Sequence, residues 1–317
     1  MLETADDLYQ RCWDSRAYLR QYYAEPNLPA DDVANAQFMA EQLRAVLAEP
    51  SKASEHHPSW PDQHPTLTNV PGTPVPICGS STPNHPCPPM SSSRPASSLN
   101  NCPKIAGTTT LDTALEFGCG PTIHHAAMLV PFVRSIHLAD YLPQNLEQVR
   151  RWLNGHPEAH NWDVYLAGAL AEEGLTRPED LVERKEQLRQ RVTALKQGNI
   201  RQENPLGDGA TYDLVASFYC LEAVTADRAE WALFLARLAR LVRPGGILLL
   251  GAVRRCNVYH VFEREFPTTY LDESDFAAEL PRVGFPAEQT VIRVAEGVGW
   301  GEQGFDSVLC VRAVKGA

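Results

Sequence analysis

Hydrophobic and polar positions along this 317-residue chain fall into two patterned regions with an unpatterned stretch between them. Before Pro50 the period is helical. Asp31 or Asp32 can cap a segment in which Met39, Leu43, Val46 and Leu47 share one face. An earlier segment, Leu8 to Tyr23, carries Tyr9, Trp13, Tyr18, Tyr22 and Tyr23. Rings at near-helical spacing serve more often in core packing than as a ligand cage, so packing is the first reading for most of them.

From Thr108 onward strand-like and helix-like runs alternate, the signature of a parallel α/β sheet. Thr110–Phe117 reads as a strand, followed by a helix starting within Gly118–Val130. Ser135–Ala139 is a second strand, and Leu146, Val149 and Leu153 mark the next helix. Pro178 opens a charged amphipathic helix running to about Arg191. Val192–Ile200 fits either period and is read as a short strand. Asp213–Phe218 and Gly246–Val253 are apolar strands. Between them, Asp227 and Glu230 form the pattern of a capping box for a helix bearing Trp231, Phe234, Leu235, Leu238 and Leu241. A last helix, Asp272–Leu280, precedes two β-like runs, Gln289–Ala295 and Asp306–Val314. Two final strands with no helix between them predict an antiparallel edge pair.

The stretch between the two regions is set apart by proline. Of 25 prolines, 13 lie between Pro50 and Ile105, together with ten serines and only five charged residues. Proline removes backbone donors and excludes both helix and central strand, so a disordered insertion is expected. His56, His57, His64, His85, Cys78, Cys87 and Cys102 lie there, but no CxxC or HxxxH pair supplies a metal nucleus, and no metal is expected.

The formal net charge is −11, which disfavours nucleic acid as a partner. No apolar run reaches the roughly 18–20 residues needed to span a bilayer. The first residues lack the basic and apolar regions of a signal peptide, and eight irregularly spaced cysteines suit reduced thiols. A cytoplasmic, monomeric protein without a membrane partner is the expectation.

Glu116-Phe117-Gly118-Cys119-Gly120-Pro121 joins the first strand to a helix. Glycines there let a ligand approach the backbone, and the helix start offers unpaired N–H donors. Asp140 follows Gly120 by twenty residues and closes the second strand, where a carboxylate can accept from both hydroxyls of a ribose. Together they describe a nucleoside-binding crevice. Pro121, Thr122 and Ile123 replace the remainder of a GxGxxG turn, which disfavours a dinucleotide.

The runs EFGCGPTI, LADYLPQNL and LVRPGG, with AYLRQYY near the start, resemble the nicotinamide, phenylethanolamine and indolethylamine (thioether) N-methyltransferase family. The resemblance covers about Trp13–Glu25 and Asp112 to the C-terminus. It implies an α/β, Rossmann-like class I methyltransferase fold with a seven-stranded, mostly parallel sheet, helices on both faces and an N-terminal helical lid. The implied organisation is a lid over 1–49, an insertion over 50–107 and an S-adenosylmethionine-binding domain over 108–317.

By the same resemblance, Gly118, Gly120 and Thr122 line the methionine part of the cofactor. Asp140 holds the ribose, with Tyr141 and Asn145 on the adenosine side. Asn199 and Ile200 flank the adenine, while Ser217 to Glu222, with Ser217 and Phe218 as cofactor contacts, end the fourth strand beside the cofactor. Tyr18 and Tyr23 cover the sulfonium, Tyr18 with a positioning role, and the cation gives their π faces a use. His124 stands where relatives carry Tyr, so it is either a cofactor contact or a first-turn surface residue.

After the fifth strand, amine-methylating relatives supply an acid. Here Ala252, Arg254 and Arg255 occupy those positions, beside the aromatic Tyr259. The arginines either bind an acidic acceptor or are solvated helix-start residues. The expected activity is methyl transfer from S-adenosylmethionine to a small-molecule acceptor, by in-line displacement at nitrogen, releasing S-adenosylhomocysteine. Transfer to oxygen or sulfur, or cofactor binding without turnover, are the alternatives. A hydroxyl acceptor would need a base, and only His124, His125 and Glu222 present themselves.

Overall fold

Five apolar segments lie side by side as parallel strands: β1 (Leu111–Phe117), β2 (Val133–Asp140), β3 (Val192–Gln197), β4 (Tyr212–Phe218) and β5 (Val242–Val253). A two-stranded antiparallel ribbon, β6 (Val258–Val261) and β7 (Arg264–Pro267), stands apart from them. β8 (Thr290–Glu296) and β9 (Ser307–Val314) complete a seven-stranded sheet of order β3-β2-β1-β4-β5-β9-β8, with β9 antiparallel to both neighbours. The fold class expected from the sequence is thus present, antiparallel edge included.

The computed structural model describes residues 13–24, 29–48, 110–261, 263–298, 304–305 and 307–317. The predicted insertion over 50–107 and the start of the first predicted helix lie outside them. Eight α-helices are present among the described residues: α1 (Ser15–Tyr22), α2 (Ala30–Leu47), α3 (His124–Leu129), α4 (Pro143–Leu153), α5 (Asp163–Glu172), α6 (Pro178–Arg191), α7 (Arg228–Arg240) and α8 (Glu273–Arg282). None of these is long and apolar enough to cross a membrane.

Both faces of the sheet are buried, which is why its central strands read as continuous apolar runs. All seven residues of β4 are buried. Ala114, Ile136, Leu138, Leu214, Ala216 and Leu249 pack with side chains of α1 to α6. Leu115, Phe117, Val215, Leu248 and Leu250 face the other way, onto Trp231, Phe234 and Leu238 of α7 and Phe276 and Leu280 of α8. The register pairs Phe117 with Ala139, Glu116 with Ala216 and Phe218 with Gly251. The carboxyl ends of β1, β2, β4 and β5 therefore open at one edge, where ligands of such sheets bind.

Local differences from the sequence reading have local causes. Asp31 and Asp32 do not cap α2. Pro29 occupies that position without a side-chain bond, and both acids lie in the first turn. Asp227 does cap α7 through Ala229 and Glu230 N–H. The Glu230 carboxylate pairs with Arg201, so the reciprocal half of the box is absent. β3 stops at Gln197, leaving Asn199 and Ile200 in the loop that follows. α5 and the β6–β7 ribbon were not anticipated.

Candidate active site

The turn after β1 is built around two glycines in the left-handed region, Gly118 at φ 74° and Gly120 at φ 61°. At Gly118 an added Cβ would sit 2.1 Å from Cys220 Sγ, so a side chain has no room there. Gly118 and Cys119 N–H both donate to Ala139 O, at 2.8 and 3.0 Å. Gly120 N–H donates to Asp140 Oδ2 at 2.8 Å. The other oxygen, Oδ1, accepts from Leu142 N–H and Asn145 Nδ2, each at 2.9 Å. Burial raises the Asp140 pKa, while these three N–H donors favour the carboxylate and oppose the rise.

Asn145 carries the network into the amino-terminal segment, since its Oδ1 accepts from Trp13 Nε1 at 2.9 Å and Ser15 Oγ at 2.6 Å. There the aromatics form a continuous group. The Trp13 and Tyr18 ring centres are 4.8 Å apart, as are those of Tyr18 and Tyr22, and Tyr23 lies 5.8 Å from Tyr18. Burial raises the pKa of all three phenols, so they stay neutral. The Tyr22 hydroxyl donates to His260 O at 2.5 Å, tying α1 to the β6–β7 ribbon.

These elements enclose one large cavity. Trp13, Tyr18, Tyr22 and Tyr23 line it together with Gly118, Gly120, Thr122, Asp140, Tyr141, Asn145, Asn199, Ile200, Phe218 and Tyr259. Twelve of the residues singled out in the sequence are therefore brought together, and four are not. His124 is fully buried behind the wall, with Nε2 3.1 Å from Asp32 Oδ1. Its ring stacks on Trp162, and burial pushes its pKa down to about 4. It is neither a surface residue nor part of the cavity lining. Ser217 Oγ donates to Phe117 O at 2.8 Å within the sheet.

Arg254 and Arg255 also lie outside the lining. Arg254 Nε and Nη2 donate to Glu273 at 2.8 and 3.1 Å, which raises its pKa. Arg255 is 3.5 Å from Asp272. Glu273 opens α8 and Asp272 caps it, so both arginines meet carboxylates of this chain at one helix start.

The same cavity holds carboxylates in addition to Asp140: Asp31, Asp32 and Glu222. An acid facing an amine can therefore come from these positions, in place of the segment after β5. Glu222 is buried and accepts from Val253 N–H at 3.0 Å. Burial pushes its pKa up to about 7.

A model of the NNMT/PNMT/TEMT family matches residues 93–314. The chain belongs to that family. Among curated relatives, the phenylethanolamine N-methyltransferase of Macaca mulatta is 32% identical over 178 residues, covering 55% of this chain and 62% of that enzyme. Human nicotinamide N-methyltransferase is 29% identical, over 56% of this chain and 67% of that one. The indolethylamine N-methyltransferase of Mus musculus is 30% identical, over 51% and 61%. The chain thus spans about three fifths of the length of the relatives it matches.

The family match begins well after α1 and α2, so the aromatic and acidic wall they build lies outside it. Sequence reasoning missed the acids of that wall, and it missed Trp13 as a lining residue. Its signal was the indole five positions before Tyr18, which was read as packing. Tyr219 lies within the Ser217–Glu222 run that the resemblance sets beside the cofactor, and it lines the cavity. It follows β4 at φ 51°, a conformation that non-glycine residues rarely hold.

Proposed function

We propose that this chain is an S-adenosylmethionine-dependent methyltransferase acting on an amine nitrogen of a small molecule. The observation that carries the reading is Asp140. It is a buried carboxylate at the end of β2, fixed by three N–H donors and facing a cavity beside the glycine turn after β1, where Gly118 has no room for a side chain. That arrangement suits a nucleoside whose chain runs along bare backbone. Asp140 and Asn145 would hold the ribose side, Asn199 and Ile200 the adenine, and Gly118, Gly120 and Thr122 the amino-acid end. When bound, the cofactor supplies a methyl group activated by a positive sulfur.

The remaining work belongs to the protein. The rings of Trp13, Tyr18, Tyr22 and Tyr23 exclude water and favour a cation through their π faces. Tyr18 and Tyr23 position the reactants rather than exchange protons, since their phenols stay neutral. Alignment of nucleophile and donor can supply several kcal/mol of the roughly 7–11 kcal/mol available from pre-organisation. Glu222, with a pKa near 7, is suited to receive an amine N–H and take its proton. The family's relatives named for phenylethanolamine, nicotinamide and indolethylamine accord with a nitrogen acceptor. The amino-terminal segment over 1–49 then serves as the lid of a single catalytic domain.

An acceptor screen scored by S-adenosylhomocysteine release tests the reading. Turnover with primary or secondary aryl-alkyl amines supports it. Turnover confined to hydroxyl or carboxylate acceptors contradicts it.

A further inference from the structure

At the cavity wall and just behind it, three ligand-type side chains converge from segments far apart in the chain. Asp32 comes from the first turn of α2, and His124 and His125 open α3. Asp32 Oδ1 is 3.1 Å from His124 Nε2 and 3.7 Å from His125 Nε2. One ligating atom from each residue lies within 4.8 Å of the other two. The two imidazole centres are 4.0 Å apart, and all three side chains are buried. Beyond His125, Glu116 Oε1 stands 3.4 Å from Nδ1.

Hydrogen bonding alone leaves this cluster unsatisfied. His125 Nε2, His124 Nδ1 and Glu116 Oε2 are each buried without a partner. An orphaned buried polar group costs about 1–3 kcal/mol, more when charged. Among the described residues, Asp32 and Glu116 find only histidines as ion-pair partners. The cofactor proposed above does not account for the orphaned atoms of Glu116 and His124, because neither residue lines the cavity.

We propose that Asp32, His124 and His125 bind a divalent transition metal, zinc being the ion their donor set suits. Tetrahedral zinc with bonds of about 2.0–2.2 Å separates its ligand atoms by roughly 3.3–3.5 Å. The two measured aspartate–histidine separations bracket that range, and binding draws the imidazoles together to close the third edge. Two imidazoles and one carboxylate favour zinc-class ions over magnesium or calcium, which take oxygen. Glu116 on the far nitrogen of His125 is the carboxylate–histidine–metal relation that fixes a ligand's tautomer. Asp32 and His125 line the cavity, so the fourth coordination position opens towards it. The ion clasps α2 to α3, whose ligands are 92 residues apart.

The test uses the full chain, stripped with chelator and titrated with Co²⁺ and then Zn²⁺. Visible absorption, elemental analysis and thermal melting report binding, and none of them depends on methyl transfer. The wild type is expected to take up one Co²⁺ with the intense absorption of a tetrahedral site, and to melt higher with Zn²⁺. Asp32→Asn and His125→Gln should abolish both effects. Glu116→Gln, which leaves every ligand in place, should keep the stoichiometry and weaken affinity about 10–100-fold. That variant keeps the proposal testable if substitution of a ligand prevents folding. Absence of a tetrahedral Co²⁺ spectrum in the wild type overturns the proposal. So does binding unchanged by all three substitutions, which assigns the ion to histidines or cysteines elsewhere, such as those between Pro50 and Cys102.

Discussion

The two walls of the cavity are made in different ways. The wall formed by the ends of β1 and β2 is mostly main chain: two glycines, the Ala139 carbonyl and the N–H groups that fix Asp140. Opposite it, the wall formed by α1, α2 and the segment after β4 is mostly side chain: Trp13, Tyr18, Tyr22, Tyr23, Asp31, Asp32 and Glu222. Backbone geometry recognises one invariant ligand and tolerates little substitution. Side chains can be exchanged one at a time without disturbing the sheet, so substitutions in the second wall test acceptor binding separately from the fold.

This contrast makes Gly118→Ala the most damaging single change. Its Cβ has no room beside Cys220 and the backbone is already left-handed. Strain of about 1–3 kcal/mol should appear as a lower melting temperature, with cofactor affinity largely lost in calorimetry. An alanine tolerated in both measurements would break the distinction between the walls.

Glu222→Gln should spare cofactor binding and lower kcat/KM for amines by about 100-fold, the lower end of general acid–base contributions. In the wild type, kcat/KM should rise with pH through about 7, where Glu222 ionises, and the glutamine variant should lose that limb. The stability effect has the opposite sign. A raised carboxyl pKa stabilises the fold fully below its ordinary value of 4.5 and ceases to do so as pH rises through about 7. The melting temperature of the wild type should fall across that window more than that of Glu222→Gln.

Trp13→Phe removes one indole bond to Asn145 while keeping an aromatic ring. A bond worth about 1 kcal/mol predicts a loss in cofactor affinity of about fivefold. Arg254→Ala is expected to have the smallest effect, leaving KM for neutral and anionic acceptors alike, because its guanidinium is held by Glu273. A KM raised only for anions would return Arg254 to the acceptor site.

The two walls also differ in how far the sequence reveals them. Gly118, Gly120 and Asp140 were legible because their partners are close along the chain or fixed by strand order, and Asn145 came from the family resemblance alone. The central strands were legible because burial on both faces writes an unbroken apolar run. Asp32 and His124 were not, since their contact spans 92 positions and no periodicity encodes it. Arg254 and Arg255 stayed open between acceptor binding and solvent for a related reason. Their charge is visible in the sequence, but the acids of α8 that neutralise it are placed only by the fold. The metal-type cluster escaped because adjacent histidines lack the spacing of a known ligand pair, and the carboxylate that joins them arrives from another helix.

Calorimetry of S-adenosylmethionine binding to the wild type and Asp140→Ala tests the central claim most directly. The account predicts saturable binding to the wild type and a loss of at least about 100-fold in the variant, the equivalent of one or two hydrogen bonds to a charged group. Equal affinity for both proteins would contradict it.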